Sequence, residues 1–136
     1  MGLPRELHST LVSPDFAAPV VTMLLTFLES GDADATVTFF AAERKMKLIG
    51  ASYVQSVNAT ADTSYTATLQ VGSTLLTAAL DIKALGANAA AQFAVVSTKD
   101  AVMAKGDILK VVLNETGGTA TSPEIVWIQL TFQLLT

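Results

Sequence analysis

Residues 125 to 135 read Ile-Val-Trp-Ile-Gln-Leu-Thr-Phe-Gln-Leu-Leu, and this stretch decides the fold class. Every second position is apolar: Val126, Ile128, Leu130, Phe132 and Leu134. The positions between them carry Trp127, Gln129, Thr131 and Gln133. Because side chains alternate between the two faces of a strand, the pattern predicts a β-strand with one buried and one mixed face. A strand this apolar must pair within a sheet that the rest of the chain provides.

Seven further segments carry strand signals, each bounded by residues that favour turns. With the last stretch they make about eight predicted strands, at 20–28, 35–40, 46–57, 64–71, 75–82, 92–97, 108–114 and 125–135. A short helix is the alternative for 75–82, because Ala78-Ala79-Leu80 favours it. The first two suggest a hairpin or near-hairpin, and Gly50-Ala51-Ser52 suits a bend, a β-bulge or a close approach by a neighbouring strand. The strand spacing predicts an all-β fold, an antiparallel β-sandwich or barrel.

The composition is that of one apolar, weakly charged domain. The chain has 136 residues, of which 51% are hydrophobic and 15% are charged, and this length suits a single domain. So little charge indicates more apolar surface than one domain can bury, and association covers such surface. We therefore expect self-association or binding to a larger body. The alternative is a monomer with a surface rich in Thr, Ser and Ala.

Charge and cysteine content argue against several classes of protein. The net charge is −4 and only eight residues are basic, whereas binding to nucleic acid needs a basic footprint. The absence of cysteine excludes disulfides and thiolate zinc sites. The longest apolar stretch, 20–28, is far shorter than the ~20 residues of a spanning helix. We expect neither a nucleic-acid nor a membrane partner.

The first 18 residues differ from the rest and predict an extended N-terminal arm, with residues 19–136 forming one β-sandwich domain. Five apolar residues make the segment less polar than a solvated tail: Leu3, Leu7, Leu11, Val12 and Phe16. They are candidate protein contacts if the arm reaches a neighbouring subunit. A frayed terminus is the alternative interpretation.

The sequence offers no convincing catalytic, metal or cofactor site. His8 is the only histidine and lies in the predicted arm, so a Ser-His-Asp triad has no rigid scaffold. Asp32 and Asp34 beside Gly31 provide too few ligands for a Ca²⁺ loop and predict an ordinary turn. The glycines match neither a dinucleotide-binding nor a P-loop spacing. We expect a protein without enzymatic activity, metal or cofactor.

Trp127 lies off the apolar parity of the last strand and has several possible roles. We predict that it packs in a second layer. It could instead cap the core or lie in a subunit contact, and we retain it as a candidate protein-contact residue. A further alternative is a sugar-binding platform that Trp127 shares with Gln129 and Tyr53, as in a carbohydrate-binding module.

The order of features over residues 36–136 resembles the small capsid decoration (cement) proteins of tailed bacteriophages. These features are a strand entered after a small and charged link (39–54), a polar loop and strand (58–71), an Ala/Gly/Asn segment (85–91), the Lys105-Gly106-Asp107 turn before an alternating strand, and a Gly/Thr loop before the terminal strand. The arm and the first strand extend beyond the similar part.

The resemblance implies a jelly-roll-like β-sandwich that binds the outside of an assembled capsid and stabilises it. It also implies a structural virion protein, often a homotrimer, whose partners are the major capsid protein and copies of itself. A structural protein of the tail or baseplate that uses the same sandwich in a ring is the alternative from the same class.

Overall fold

The computed structural model describes residues 19–29, 34–96 and 101–135, and all helix or strand assigned within them is strand. The longer strands are β1 (Val20–Glu29), β2 (Ala35–Ala41), β3 (Met46–Gln55), β5 (Ser64–Val71), β10 (Ile108–Thr116) and β12 (Glu124–Leu134). The short strands are β4 (Thr60–Ala61), β6 (Thr74–Leu75), β7 (Leu80–Asp81), β8 (Ala90–Gln92), β9 (Val102–Met103) and β11 (Ala120–Thr121). This part of the chain therefore holds no helix that could cross a membrane.

The described strands form two antiparallel five-stranded sheets and one two-stranded ribbon, β4 with β11. Sheet A has the order β1-β12-β3-β8, with β9 also pairing β3, and sheet B has the order β2-β10-β5-β6, with β7 also pairing β5. β8 and β9 follow one edge of β3, and β6 and β7 follow one edge of β5, so each pair makes one interrupted strand. The resulting eight strands have the orders 1-8-3-6 and 2-7-4-5. This is the jelly-roll arrangement, so the predicted fold class is confirmed.

The core lies between the inner faces of the two sheets. In β12, Val126, Ile128, Leu130 and Phe132 are fully buried, as their alternation predicts. The Phe132 ring meets Phe40 of sheet B edge-on, with ring centroids 6.0 Å apart. Because burial of one large apolar side chain contributes about 1.5–3 kcal/mol, contacts of this kind hold the sheets together.

A buried amide fixes the loop that follows β7. Gln55 is fully buried, and its Nε2 donates to the carbonyls of Ile82 (3.1 Å) and Leu85 (2.8 Å). Its Oε1 accepts a hydrogen bond from the hydroxyl of Tyr53 at 2.9 Å. A buried polar group left without such partners would cost about 1–3 kcal/mol, so this network favours one loop conformation.

The predicted irregularity around Gly50 is confirmed as a β-bulge. Thr131 of β12 pairs with Gly50, but the next residue, Phe132, pairs with Leu48, so Ile49 is the extra residue. The bulge lets both Leu48 and Ala51 enter the core although they are three residues apart. It therefore re-registers β3 against β12 near one end of sheet A.

The predicted hairpin of the first two strands is wrong. β1 pairs with β12 in sheet A, whereas β2 pairs with β10 in sheet B. Turn-forming residues between two strands suit a connection from one sheet to the other as well as a hairpin. The strong pairing partners of both strands come from distant parts of the chain, which local turn signals do not reveal.

The predicted strands at 75–82 and 92–97 are only partly correct. The first is interrupted between β6 and β7, where Thr77 forms an isolated bridge with Val95. The Thr77 hydroxyl accepts a hydrogen bond from the Leu69 amide at 3.1 Å, a side-chain contact in place of a ladder bond. Of the second segment, Gln92 ends β8, Val95 forms the bridge, and residue 97 lies outside the described part.

Candidate assembly surface

The outer face of sheet A is mainly apolar at the end where β1 finishes and β12 begins. β1 places Leu24 and Leu28 outward, with 65% and 70% of each side chain exposed, and Ile125 at the start of β12 is also exposed. The register puts Leu28 opposite Ile125 and puts Trp127 between Thr26 and Val54. We call Leu24, Leu28, Val54, Ile125 and Trp127 the apolar patch.

Trp127 lies at the centre of the apolar patch. It is half-buried, with Thr26 opposite it on β1 and Val54 opposite it on β3, and Leu24 and Leu28 occupy the diagonal positions on β1. Diagonal neighbours on one sheet face are about 7–8 Å apart, within reach of an indole ring. Aromatic side chains with apolar neighbours are common at the energetic centre of protein interfaces.

The apolar patch includes part of β1, an edge strand whose only charged residue is Glu29 at its end. Within the described residues β1 pairs only with β12, so its other edge presents backbone N–H and C=O groups. The inward side chains Val21, Met23, Leu25 and Phe27 are only partly buried, in contrast to those of β12. Phe27 contacts Phe39 of β2 at a centroid distance of 5.9 Å. Within the described residues, the inner face of β1 is therefore only partly covered by sheet B.

Apart from Lys110 on the outer face of sheet B, the charged residues of the described part lie at the two ends of the sandwich. One end is formed where β1 and β10 finish and β5 and β12 begin, and we call it the acidic end: Glu29, Asp34, Asp62, Asp81, Glu115 and Glu124. The other end holds the β2–β3 connection and the turn before β10, and we call it the basic end: Arg44, Lys45, Lys47 and Lys105. Lys83 at the acidic end, and Glu43 and Asp107 at the basic end, have the opposite sign.

At the acidic end, carboxylates bond to the backbone. The Glu115 amide donates to Asp34 Oδ1 at 2.9 Å, and the Gly118 amide donates to Glu115 Oε1 at 3.0 Å. Asp81 Oδ1 accepts from the amides of Lys83 and Ala84. Within residues 19–29, 34–96 and 101–135 no group of three His, Cys, Asp or Glu residues could hold a metal ion. Asp32 lies outside the described residues, so the turn predicted around it stays a prediction.

The residues predicted as protein contacts fall into two groups. Trp127 lies on the outer face of sheet A, whereas Leu3, Leu7, Leu11, Val12 and Phe16 lie outside the described residues, as does His8. The sugar platform that paired Trp127 with Tyr53 is wrong, because Tyr53 is fully buried on the inner face of sheet A. Its ring packs edge-on against Phe93 at a centroid distance of 6.1 Å.

The exposed apolar residues on the outer face of β1 were not predicted. Leu24 and Leu28 share the outward parity with Thr22 and Thr26, so the outer face of this strand mixes polar and apolar residues. The missed signal is a strand in which both parities are apolar. In an edge strand such a pattern indicates a second contact surface.

No protein-family model and no curated protein matches this chain. A chain of the cyanophage Pam1 capsid asymmetric unit superposes with a TM-score of 0.56 at 15% identity, over 92% of this chain and 93% of that chain. A chain of infectious bursal disease virus, Gx strain, gives 0.37 at 17% identity, over 83% of this chain and 32% of that chain. A chain of Bacillus endospore appendages, described as disulfide-linked pili, gives 0.36 at 13% identity over 87% and 91%. The Pam1 likeness shows a shared fold, and the two lower scores support no conclusion.

Proposed function

We propose that this chain is a non-enzymatic structural virion protein that binds the outside of a phage capsid and stabilises it, as decoration or cement proteins do. It associates with itself, as a homotrimer, and with the major capsid protein. The observation that carries the proposal is the apolar patch around Trp127, a sheet face built for contact with protein. The shared fold with a capsid chain of nearly equal length supports the viral setting.

The apolar patch is smaller than a complete protein interface. Four residues of β1 separate Leu24 from Leu28, a length of about 14 Å, and three strands about 4.8 Å apart give a width of about 15 Å with their side chains. The resulting face of about 200 Å² is a quarter of the ~800 Å² that each partner buries in a typical specific interface. The partly buried inner side chains of β1 supply adjoining apolar surface.

The test uses capsids of the phage that encodes this chain, prepared without the protein. Purified full-length protein should sediment with expanded capsids to a saturable number of copies and raise the temperature at which they break down. Cryo-electron microscopy of saturated capsids should show it outside the shell. An absence of binding, or density on the tail or baseplate of complete virions, would contradict the proposal and favour the tail alternative.

Removal of residues 1–18 tests the predicted arm. The shortened protein should keep the far-ultraviolet circular dichroism of the full chain but lose most capsid occupancy, because the apolar side chains of the arm supply one contact. The matched control replaces those five apolar residues with serine in the full-length chain and should lose occupancy to the same extent. Unchanged affinity of the shortened protein would mean that the arm makes no capsid contact.

A sugar-binding role has less support, since Tyr53 is not available to a ligand. Trp127 alone on a flat face, with Gln129 along the same strand, provides one stacking surface. A glycan screen that finds saturable binding, lost in folded Trp127→Ala, would favour the carbohydrate-binding alternative.

A further inference from the structure

We infer that the basic end of the sandwich is the docking end, and that its partner is an acidic protein surface. This inference rests on the proposed function, because it names the end through which the chain meets the capsid. It follows from the separation of charge, from the place where the N-terminal segment leaves the fold, and from the geometry of a ring.

The strand register separates the two ends along the whole sandwich. Glu29 and Glu124 face each other at one end of sheet A, whereas Lys47 lies opposite Gln133 at the other end. Among the described residues, six acidic residues and Lys83 give the acidic end a formal net charge of −5, and four basic residues with Glu43 and Asp107 give the basic end +2. The described part of this acidic chain thus has one end of net positive charge, which favours one orientation toward an acidic partner.

The backbone holds the basic side chains close together. The Ala42 amide donates to the Asp107 carbonyl at 2.7 Å, and the Gly106 amide donates to the Ala42 carbonyl at 2.7 Å, so the turn with Lys105 lies beside the Arg44–Lys45 connection. The Leu135 amide donates to the Lys45 carbonyl at 3.0 Å, and Arg44 donates to the Leu135 carbonyl at 3.3 Å. The turns that carry Lys45 and Lys105 are therefore fixed to the sheets.

The N-terminal segment begins from this same end. The carbonyl of Pro19 accepts a hydrogen bond from the Leu134 amide at 2.8 Å, and Val20 lies opposite Gln133. Eighteen preceding residues span at most about 60 Å when extended. The apolar segment predicted to make protein contacts and the positive surface are thus positioned to reach one partner.

A ring formed through the apolar patch presents all basic ends together. The patch is on the side of the sandwich, so copies that meet there can be related by an axis along the strands. Cyclic symmetry about that axis points every basic end the same way. A trimer then offers three positive sites to one surface, and linked sites strengthen binding without new contacts.

An acidic protein surface fits this end better than nucleic acid does. Glu43 and Asp107 lie among the basic residues, and the chain as a whole is negative. Binding to DNA takes a dense row of basic residues that neutralises many phosphates. Four basic groups interspersed with two acidic ones suit separate carboxylates on a folded partner.

The experiment compares two variants with the same net charge. The basic-end variant, Lys45→Gln with Lys105→Gln, removes two exposed positive charges. The acidic-end variant, Thr60→Glu with Thr119→Glu, adds two negative charges at exposed positions. The formal net charge of both variants is therefore −6 instead of −4. Binding to the same expanded capsids is measured by co-sedimentation at about 50 and about 500 mM NaCl, with and without nuclease. We expect the basic-end variant to bind about tenfold more weakly at low salt and the difference to vanish at high salt. The acidic-end variant should bind within about twofold of the unmodified protein.

The outcomes separate this inference from the proposed function. Equal weakening of both variants, or none in the basic-end variant, would overturn the docking end while capsid binding stands. Loss of binding after nuclease treatment would overturn the acidic protein partner in favour of nucleic acid. An unmodified protein that never binds capsids would overturn the proposed function itself. Circular dichroism and sedimentation velocity on each variant exclude unfolding or loss of the oligomer as the cause.

Discussion

The two outer faces of this sandwich differ in chemistry although their inner faces build the same core. Sheet B turns mainly polar residues outward: Thr36, Thr38, Thr66, Gln70, Lys110 and Asn114. Sheet A turns the apolar patch outward. Sheet B also exposes two large apolar residues, Leu75 and Ile108, but β5 separates the strands that carry them, so they form no comparable patch. This difference supports the proposal that sheet A makes the protein contacts.

The largest expected effect is on the free energy of unfolding, and it distinguishes the two faces of β12. Phe132→Ala removes a fully buried ring of β12 that packs on Phe40, so we expect a loss of about 3–5 kcal/mol in the free energy of unfolding. Urea unfolding followed by circular dichroism measures it. Trp127→Ala on the opposite face of β12 should cost about 1 kcal/mol. Equal losses would mean that Trp127 belongs to the folding core and would remove the contrast between the faces.

Trp127→Ala should act instead on association. A central aromatic residue of an interface is worth about 2 kcal/mol or more, so we expect the association constant to fall at least about 30-fold. Analytical ultracentrifugation over a range of concentrations measures the change. The control is Val112→Ala, which truncates a half-buried residue between Thr36 and Thr68 on the outer face of sheet B. Association that depends equally on Val112 and Trp127 would place the contact elsewhere.

A smaller effect is expected from the rim of the apolar patch. Leu24→Gln with Leu28→Gln replaces two exposed leucines of β1 and should weaken self-association about tenfold with little change in stability. Leu75→Gln with Ile108→Gln is the matched control, because both residues are about half exposed but belong to sheet B. If the two double variants weaken association alike, general surface hydrophobicity and not the apolar patch drives it.

The alternation of apolar and polar residues was enough to predict most of the long strands. The last strand, the first strand and the strand at 64–71 each have one fully apolar parity, and all three were predicted as strands. The buried face of the last strand was also predicted correctly. The bulge was signalled by Gly50, since a glycine in a strand often marks one. The sheet to which each strand belongs was not predictable, because β1 finds its partner more than 90 residues away in β12.

The assembly surface was predictable only in part. Trp127 stood out because it broke the apolar parity of a clear strand. Leu24 and Leu28 were hidden in a segment where both parities are apolar, and their exposure depends on β1 being an edge strand. The separation of charge between the two ends also depends on how the strands are arranged. Glu29, Asp62 and Glu124 are far apart in sequence and meet at one end only after the sheets form.

The smallest effect concerns the inner face of sheet A and its response to pH. Burial, and secondarily Tyr65, raises the pKa of Tyr53 well above its ordinary value of 10.0. A raised folded-state pKa gives stability that is complete below the unfolded-state pKa and is lost as pH rises above it. The unfolding free energy of the unmodified protein should therefore fall above about pH 10, whereas that of Tyr53→Phe should fall less steeply.

At pH 7 the variant should be about 1 kcal/mol less stable, because it lacks the 2.9 Å hydrogen bond to Gln55. Urea unfolding at pH 7 and above pH 10 measures the stability of both proteins. Self-association of the variant at pH 7 should stay unchanged. An alkaline slope as steep in the variant would assign the loss to another group, and weakened association would mean that the inner and outer faces of sheet A are coupled.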